Sequence, residues 1–284
     1  MSSIHCYKYR SAAAALRCLS EQTLYFASPS ELNDCLEAKF DHASEDEYAN
    51  VVWSTFRELA LARGDSDTDC RSIPKGLLEE LRPLSKQDNG DFRVWCDQVG
   101  IFSAAPRPDN QPMWAYYCDN ARGVCFDLEW PKEVMEEYHL LRTPVTYTRE
   151  ARIHNRAKYL RELLLDLGRR NPNWTMEQIL SFSMTGKFAR RWSSRSIARA
   201  VSSKHTDWEH ECELRLIAPR AGPIPVMRDV LKGVFFMRTD FPECRSIVRL
   251  ISQLYPNVRL NTMEFLHTEP FVRTRQLVPE VVER

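Results

Sequence analysis

The spacing of apolar and polar positions changes several times along the chain, and each change marks an element. Ile4 to Arg10 is rich in strand formers and ends Tyr7-Lys8-Tyr9-Arg10, which predicts a first strand. Ser11 precedes Ala12 to about Leu19, where strong helix formers carry an apolar stripe, so it can cap a helix there. Thr23 to Ala27 predicts a second strand, and Ser28 to Asp34 a sharp turn built on Pro29, Asn33 and Asp34. A strand–helix–strand opening of this kind brings the ends of both strands to one edge of a sheet.

Residues 44 to 97 read as mostly helical, broken by a polar loop from Gly64 to Asp69. Val99 to Ser103 predicts a third strand, Ala104 to Asn110 a proline-rich loop, and Met113 to Tyr117 a short helix. Gly123 to Leu128 is almost wholly apolar, as a central strand is. Leu140 to Thr148 predicts a fifth. Glu150 to Leu167 and Met176 to about Ala200 form a second helical stretch. After the strand that carries Glu211 come a strand at Leu231 to Met237, a helix from Pro242 to Leu254, and strands near Val258 to Leu266 and Phe271 to Leu277. The pattern is α+β: one domain over residues 1–284, a single mixed or antiparallel sheet, and helical inserts at about 44–97 and 150–204.

The stretch Trp208-Glu209-His210-Glu211-Cys212-Glu213-Leu214-Arg215-Leu216-Ile217 carries the densest chemistry. Read as one strand, it puts Cys212, Leu214 and Leu216 on one face and Glu209, Glu211, Glu213 and Arg215 on the other. Carboxylates that close raise each other's pKa, and Arg215 would relieve the repulsion. Two readings stand: an exposed face of solvated charges, or a carboxylate pair held for chemistry with an arginine to keep it ionised.

Composition narrows the partners. Acidic and basic residues balance at 39 each, so no global field draws the chain to nucleic acid or an anionic membrane. No apolar run approaches the ~18–20 residues of a membrane span, and Ala12 to Ala15 is too short for a signal-peptide core. The nine cysteines form no CxxC pairs, which suits buried thiols in a reducing cytoplasm better than disulfides or zinc. His205 and His210 are spaced for neither one helix face nor one strand face, so no metal is expected.

Four short motifs resemble one family. They are Tyr9-Arg10; Leu24 to Pro29 with Asn33-Asp34; Met113 to Tyr117 with Gly123-Val124-Cys125; and Trp208 with Glu211, Glu213 and Arg215. Together they are similar to a large bacterial family known only as a domain of unknown function, whose members read KYR, LYFSSPxxFNDPFE, MWAHYAxxHxGVCxxF and WxxExEWR. Cys35-Leu36 departs from its Pro-Phe, and Tyr116 replaces its usual histidine. By analogy of fold, the order of parts also resembles the ADP-ribosyltransferase superfamily, with an Arg or His on a first strand, a hydroxyl-bearing second strand and a late Glu-x-Glu. That resemblance implies a sheet core of the ADP-ribosyltransferase type, NAD as substrate and no metal. Glu213 would oppose the oxocarbenium-like charge, Glu211 would orient ribose hydroxyls or activate the acceptor, and Arg10 would hold the pyrophosphate. Tyr25, Ser28, Asn33, Asp34, Trp114 and Tyr117 would line the cofactor, with Tyr25 or Trp114 stacking on the nicotinamide. Each residue also has an ordinary structural reading: Arg10 as a surface arginine, Ser28 as a cap, and Trp114 and Tyr117 as core anchors.

Three functions therefore compete. The first is an NAD-consuming enzyme, an ADP-ribosyltransferase or NAD glycohydrolase, which the resemblance associates with toxins, effectors or phage defence. The second is a nucleic-acid-binding protein or nuclease. Gln178 to Thr206 holds no acidic residue but carries Lys187, Arg190, Arg191, Arg195, Arg199 and Lys204 with Phe188 and Trp192, a basic patch for a nucleic-acid or protein target. The third is a non-enzymatic sensor of a nucleotide-like ligand.

Overall fold

The apolar–polar pattern over Ile4–Arg10 becomes a strand with those bounds in a computed structural model of the chain. The structure describes residues 3–34, 40–41, 44–64, 94, 96–149, 154–183, 197–265 and 272–276. Its fold is α+β, and it divides into two compact units. One comprises residues 1–35, 98–149 and 204–284; the other comprises 36–97 and 150–203, close to the two segments expected as helical inserts.

The first unit corrects the expectation of a single sheet. A five-stranded sheet runs in the order Ile4–Arg10, Val124–Trp130, Leu231–Phe236, Arg259–Phe265, Val272–Gln276. All its neighbours are antiparallel except Leu231–Phe236 and Arg259–Phe265, which are parallel and are connected through the helix Cys244–Leu254. A separate three-stranded sheet places Leu214–Ala218 between Gly100–Ala104 and Leu141–Pro144. The two are tied where Tyr7 and Ala105 exchange backbone hydrogen bonds of 2.8 Å each way. The strand Leu24–Phe26 pairs with Gly222–Ile224, an element without a clear signature in the sequence. The stretch expected as one strand from Leu140 to Thr148 is two, Leu141–Pro144 and Thr146–Thr148. At the break the Val145 amide donates to the Glu213 carbonyl.

A large apolar cluster that includes Phe26, Phe126 and Leu216 underlies these sheets, and a smaller one gathers Tyr9, Trp114, Cys125 and Phe235. Ser11 accepts from the Ala14 amide and so satisfies an otherwise orphaned donor at the start of the helix Ala12–Glu21. That helix buries Ala12, Ala15, Cys18 and Leu19. Phe26, Phe102 and Trp130 meet with ring centroids 5.3 to 6.1 Å apart, within the range aromatic pairs favour. The other face of the larger sheet carries a buried carboxylate, Asp127, which meets His5 and lies 3.5 Å from the Arg259 guanidinium. Gly233 lies between Asp127 and Arg259 in register and leaves the gap that Arg259 spans. Six of the described cysteines are buried free thiols and Cys212 is exposed, in line with their reading as small core residues.

In the second unit, Ser44 caps the helix Glu45–Ala62, whose first turn carries Glu45, Asp46 and Glu47, where the helix dipole favours negative charge. Tyr48, Val52, Phe56 and Leu59 pack with Leu160, Leu164 and Ile179 of the helices Arg156–Arg170 and Met176–Ser183. Gly168 permits the close approach, since a Cβ there would stand 2.4 Å from Leu59.

Gly123 has the tightest backbone constraint beside the Ile4–Arg10 strand. A Cβ at this position would lie 2.2 Å from the Arg10 carbonyl oxygen and 3.0 Å from the Cys118 Cα, both backbone atoms that cannot rotate away. Gly123→Ala should therefore lower stability by about 1–3 kcal/mol through overpacking. Denaturant unfolding checks it; an unchanged midpoint would show that the strand end yields freely.

Candidate functional site

The cluster is built around a turn. Thr206–Glu211 is a 3-10 helix, not strand, and it closes where the Cys212 amide donates to the Glu209 carbonyl at 3.1 Å. Cys212 is left-handed, with φ 48°, and strand geometry begins only at Leu214. The ten-residue strand read from alternation is thus half that length. Cys212, expected in the core, is exposed, while Glu211 and Glu213 are buried. The reversal at Cys212 is what aims both carboxylates inward, and the reading of a solvated charged face falls with it.

Glu213 and Arg215 are two residues apart and share one face of the chain. The pair is bidentate: the Arg215 Nε donates to Glu213 Oε1 at 2.7 Å and Nη2 to Oε2 at 3.1 Å. Lys204 joins them from the short strand Ser203–His205. Its ammonium donates to Glu211 Oε2 at 2.5 Å and to Glu213 Oε2 at 3.4 Å. The other Glu211 oxygen accepts from the Tyr117 hydroxyl at 2.6 Å. Tyr117 itself accepts from the Asn33 amide at 3.3 Å, and the Tyr147 hydroxyl accepts from the Glu213 amide at 2.7 Å. Lys204, Glu211, Glu213 and Arg215 are all buried, so two anions and two cations share a site with little water.

The electrostatics follow from that enclosure. Burial alone would raise the Glu213 carboxyl, but Arg215, then Lys204 and Ser103, outweigh it and hold the group at about 2. Burial and then the Glu211 carboxylate push the Tyr117 phenol well above its ordinary range. Burial above all pushes Tyr147 up to about 12. Lys8 lies nearby, its ammonium donating to the Ser103 carbonyl and standing 5.0 Å from the centre of the Phe102 ring. Burial first, and then repulsion from Arg10, bring Lys8 down to about 7 against the opposing pull of Glu213. A base in that range exchanges protons near neutrality.

The sequence-predicted residues do not all converge. Glu211, Glu213, Tyr117 and Asn33 form one hydrogen-bonded chain through Lys204. Arg10 shares the Lys8 face of its strand, but its guanidinium meets the Cys18 thiol, and burial lowers its pKa. Among the described residues its Nε is buried without a hydrogen-bond partner. Asp34 is buried at the turn. Ser28 and Tyr25 are gathered around Glu31: its carboxylate accepts from the Ser28 amide at 2.7 Å and from the Tyr25 hydroxyl at 2.9 Å. Ser28 therefore acts locally as a cap.

Trp114 is a correction. It is fully buried, its indole donates to the Pro108 carbonyl at 2.7 Å, and it meets Tyr9 edge-on at 5.5 Å. A ring so enclosed has no free face for a nicotinamide. Lys204, read as part of a basic patch, is the cation of the carboxylate pair. Lys187, Arg190, Arg191 and Arg195 lie outside the described residues, and Arg199 pairs with Glu162 at 2.6 Å. Lys8, Lys204 and Tyr147 were the residues sequence reasoning missed. The one signal for Lys204 was its position at the junction of the basic and acidic runs.

Among the described residues, no three His, Cys, Asp or Glu side chains converge as a metal ion would require, and no helix is long and apolar enough to cross a membrane.

A family model described as "Protein of unknown function (DUF2971)" matches residues 113–216. The matched stretch takes in Tyr117, Lys204, Glu211, Glu213 and Arg215, and so nearly the whole buried network. It is narrower than the four-motif resemblance, since the Tyr9-Arg10 and Leu24–Pro29 motifs fall outside it. No curated protein and no solved structure matches the chain.

Two tests address the ion network. Arg215→Met leaves Glu213 buried with its bidentate partner gone, and stability should fall by about 3–5 kcal/mol. In the intact protein, the Glu213 carboxyl is depressed from 4.5 to about 2. Its contribution is thus present above pH 4.5 and lost as pH falls through 2, roughly 3 kcal/mol in all. Unfolding curves measured between pH 6 and 2 should show that loss, reduced in Glu213→Gln; identical acid profiles for the two proteins would count against the assigned ionisation.

Proposed function

We propose that the buried network is the reaction centre of an NAD-consuming enzyme, an ADP-ribosyltransferase or NAD glycohydrolase. The observation that carries this reading is the convergence of Glu211 and Glu213 on one ammonium, with Glu213 kept ionised far below neutral pH. Breaking the bond between the nicotinamide nitrogen and ribose C1′ sends its electron pair to the ring and builds positive charge at C1′. A fixed carboxylate opposes that charge without reorganising. Glu213 fills this role because Arg215 and Tyr147 hold it in place.

Glu211 is the handler of the second reactant. It is oriented by Tyr117 on one oxygen and Lys204 on the other, and it takes the proton of the water or acceptor hydroxyl as that oxygen bonds to C1′. Lys204 is shared by both carboxylates, so a ribose reaching them must hydrogen-bond beside it or displace it. Arg10, and Lys8 when it carries its proton, lie on one face of their strand and add positive field suited to the substrate's phosphates. Trp114 has no part in this arrangement.

Nicotinamide release from NAD is the direct assay. Glu213→Gln keeps size and hydrogen bonding but removes the charge, and should slow release about 10²–10³-fold, as expected for one electrostatic contact of ~3–4 kcal/mol. A Glu213→Gln protein that melts lower yet releases nicotinamide normally would make Glu213 a structural residue and end the enzyme reading.

A further inference from the structure

Trp208, His210 and Tyr116 form a surface ladder of rings next to the buried network. The Trp208 and His210 rings stack with centroids 6.3 Å apart and planes 28° from parallel, and the Tyr116 and His210 centroids are 6.0 Å apart. The ladder is fastened at both ends to groups already placed. The Lys204 ammonium that holds Glu211 also lies 4.6 Å from the Trp208 ring centre. The Asn110 amide donates to the His210 carbonyl at 2.5 Å, and Asn110 caps the helix Gln111–Tyr117 that carries Tyr116 and Tyr117.

Tyr116 is 69% exposed, among the most exposed large apolar side chains of the described residues. It sits at the outer end of the ring cluster, its plane tilted 53° from that of His210, and offers a ring face to solvent. His210 adds a polar handle. Its Nδ1 lies 3.0 Å from the Asp207 carbonyl oxygen, which can only accept, so Nδ1 carries the proton. In the neutral ring Nε2 is then the acceptor, suited to an N–H donor on a neighbouring ligand.

We propose that the Tyr116–His210–Trp208 cluster is the stacking subsite for a planar nitrogen heterocycle carried on a ribose 5′-phosphate, with exposed Tyr116 as the face that takes the ring. This rests on the NAD-consuming reading of the adjacent carboxylates and deepens it by supplying the ring platform that buried Trp114 cannot. A flat ring loses little by leaving water and gains contact with every aromatic face, and Lys204 links the platform to the site where the sugar reacts. Both halves of a dinucleotide have this chemistry, the purine and the pyridinium.

Calorimetric titration with AMP, nicotinamide mononucleotide and ribose 5-phosphate separates the sources. At least one mononucleotide should bind more tightly than ribose 5-phosphate, and whichever does identifies the ring. Tyr116→Leu should weaken that mononucleotide about 5- to 150-fold, the range for loss of one stacked base, while Tyr116→Phe keeps its affinity and ribose 5-phosphate binds both variants alike. Tyr116 is exposed, so melting curves should confirm an intact fold. The proposal is overturned if neither mononucleotide binds better than ribose 5-phosphate, or if Tyr116→Leu binds as the unaltered protein does. Equilibrium binding needs no turnover. Failure here with nicotinamide release intact removes only the ladder, and stacking without release removes only the NAD-cleaving reading.

Discussion

The Lys204 ammonium, held between Glu211 and Glu213 in a site with little water, is the interaction on which the rest of this region depends. A lone carboxylate at either position would face the cost of burial unpaid by any partner, and would protonate. Two carboxylates together would add mutual repulsion. With Lys204 and Arg215 in place, four charges are balanced and the remaining lone pairs are taken by Tyr117 and neighbouring groups. Such a network adds little net stability over an apolar core of the same volume, but removing one member leaves an uncompensated charge. Its geometry is therefore well determined.

Three separate backbone features deliver the parts. The left-handed residue Cys212 turns the chain so that Glu211 and Glu213 point the same way. Central placement of Leu214–Ala218 in its three-stranded sheet fixes Arg215 opposite Ser103 on one side and Thr143 on the other. The Asn110 cap starts the helix that presents Tyr117 inward and Tyr116 outward, one residue apart. Half-buried Tyr117 and exposed Tyr116 on the same short helix thus face the ion network and the solvent respectively. The larger sheet contributes from its edge strand, where Lys8 and Arg10 share a face.

A second buried carboxylate, Asp127, shows the same rule with less commitment. It meets His5 and Arg259, both of them largely exposed, so its partners remain solvated while the acid does not. Screening by water weakens such pairs, whereas the enclosed Lys204 and Arg215 contacts are shielded from it. This contrast in enclosure sets the Glu211–Glu213 network apart from Asp127.

Local pattern alone determined much of this protein. Ile4–Arg10, the helix after Ser11, the apolar strand near Val124 and the helix ending at Leu254 were legible because periodicity and capping residues act over a few positions. The Glu211, Glu213 and Arg215 group was also legible, since like charges two apart beside an arginine need an explanation wherever they lie. Pattern failed where backbone conformation broke the expected period. Alternation through Trp208–Ile217 concealed a 3-10 helix and a left-handed residue, because the side-chain pattern of a strand does not exclude either. Only tertiary structure decided burial: it enclosed Trp114, divided the strands between sheets and drew Lys204 out of a basic run into the carboxylates. Burial and charge pairing join residues far apart in the chain, such as Tyr117 and Glu211, and no local spacing encodes which of them will meet.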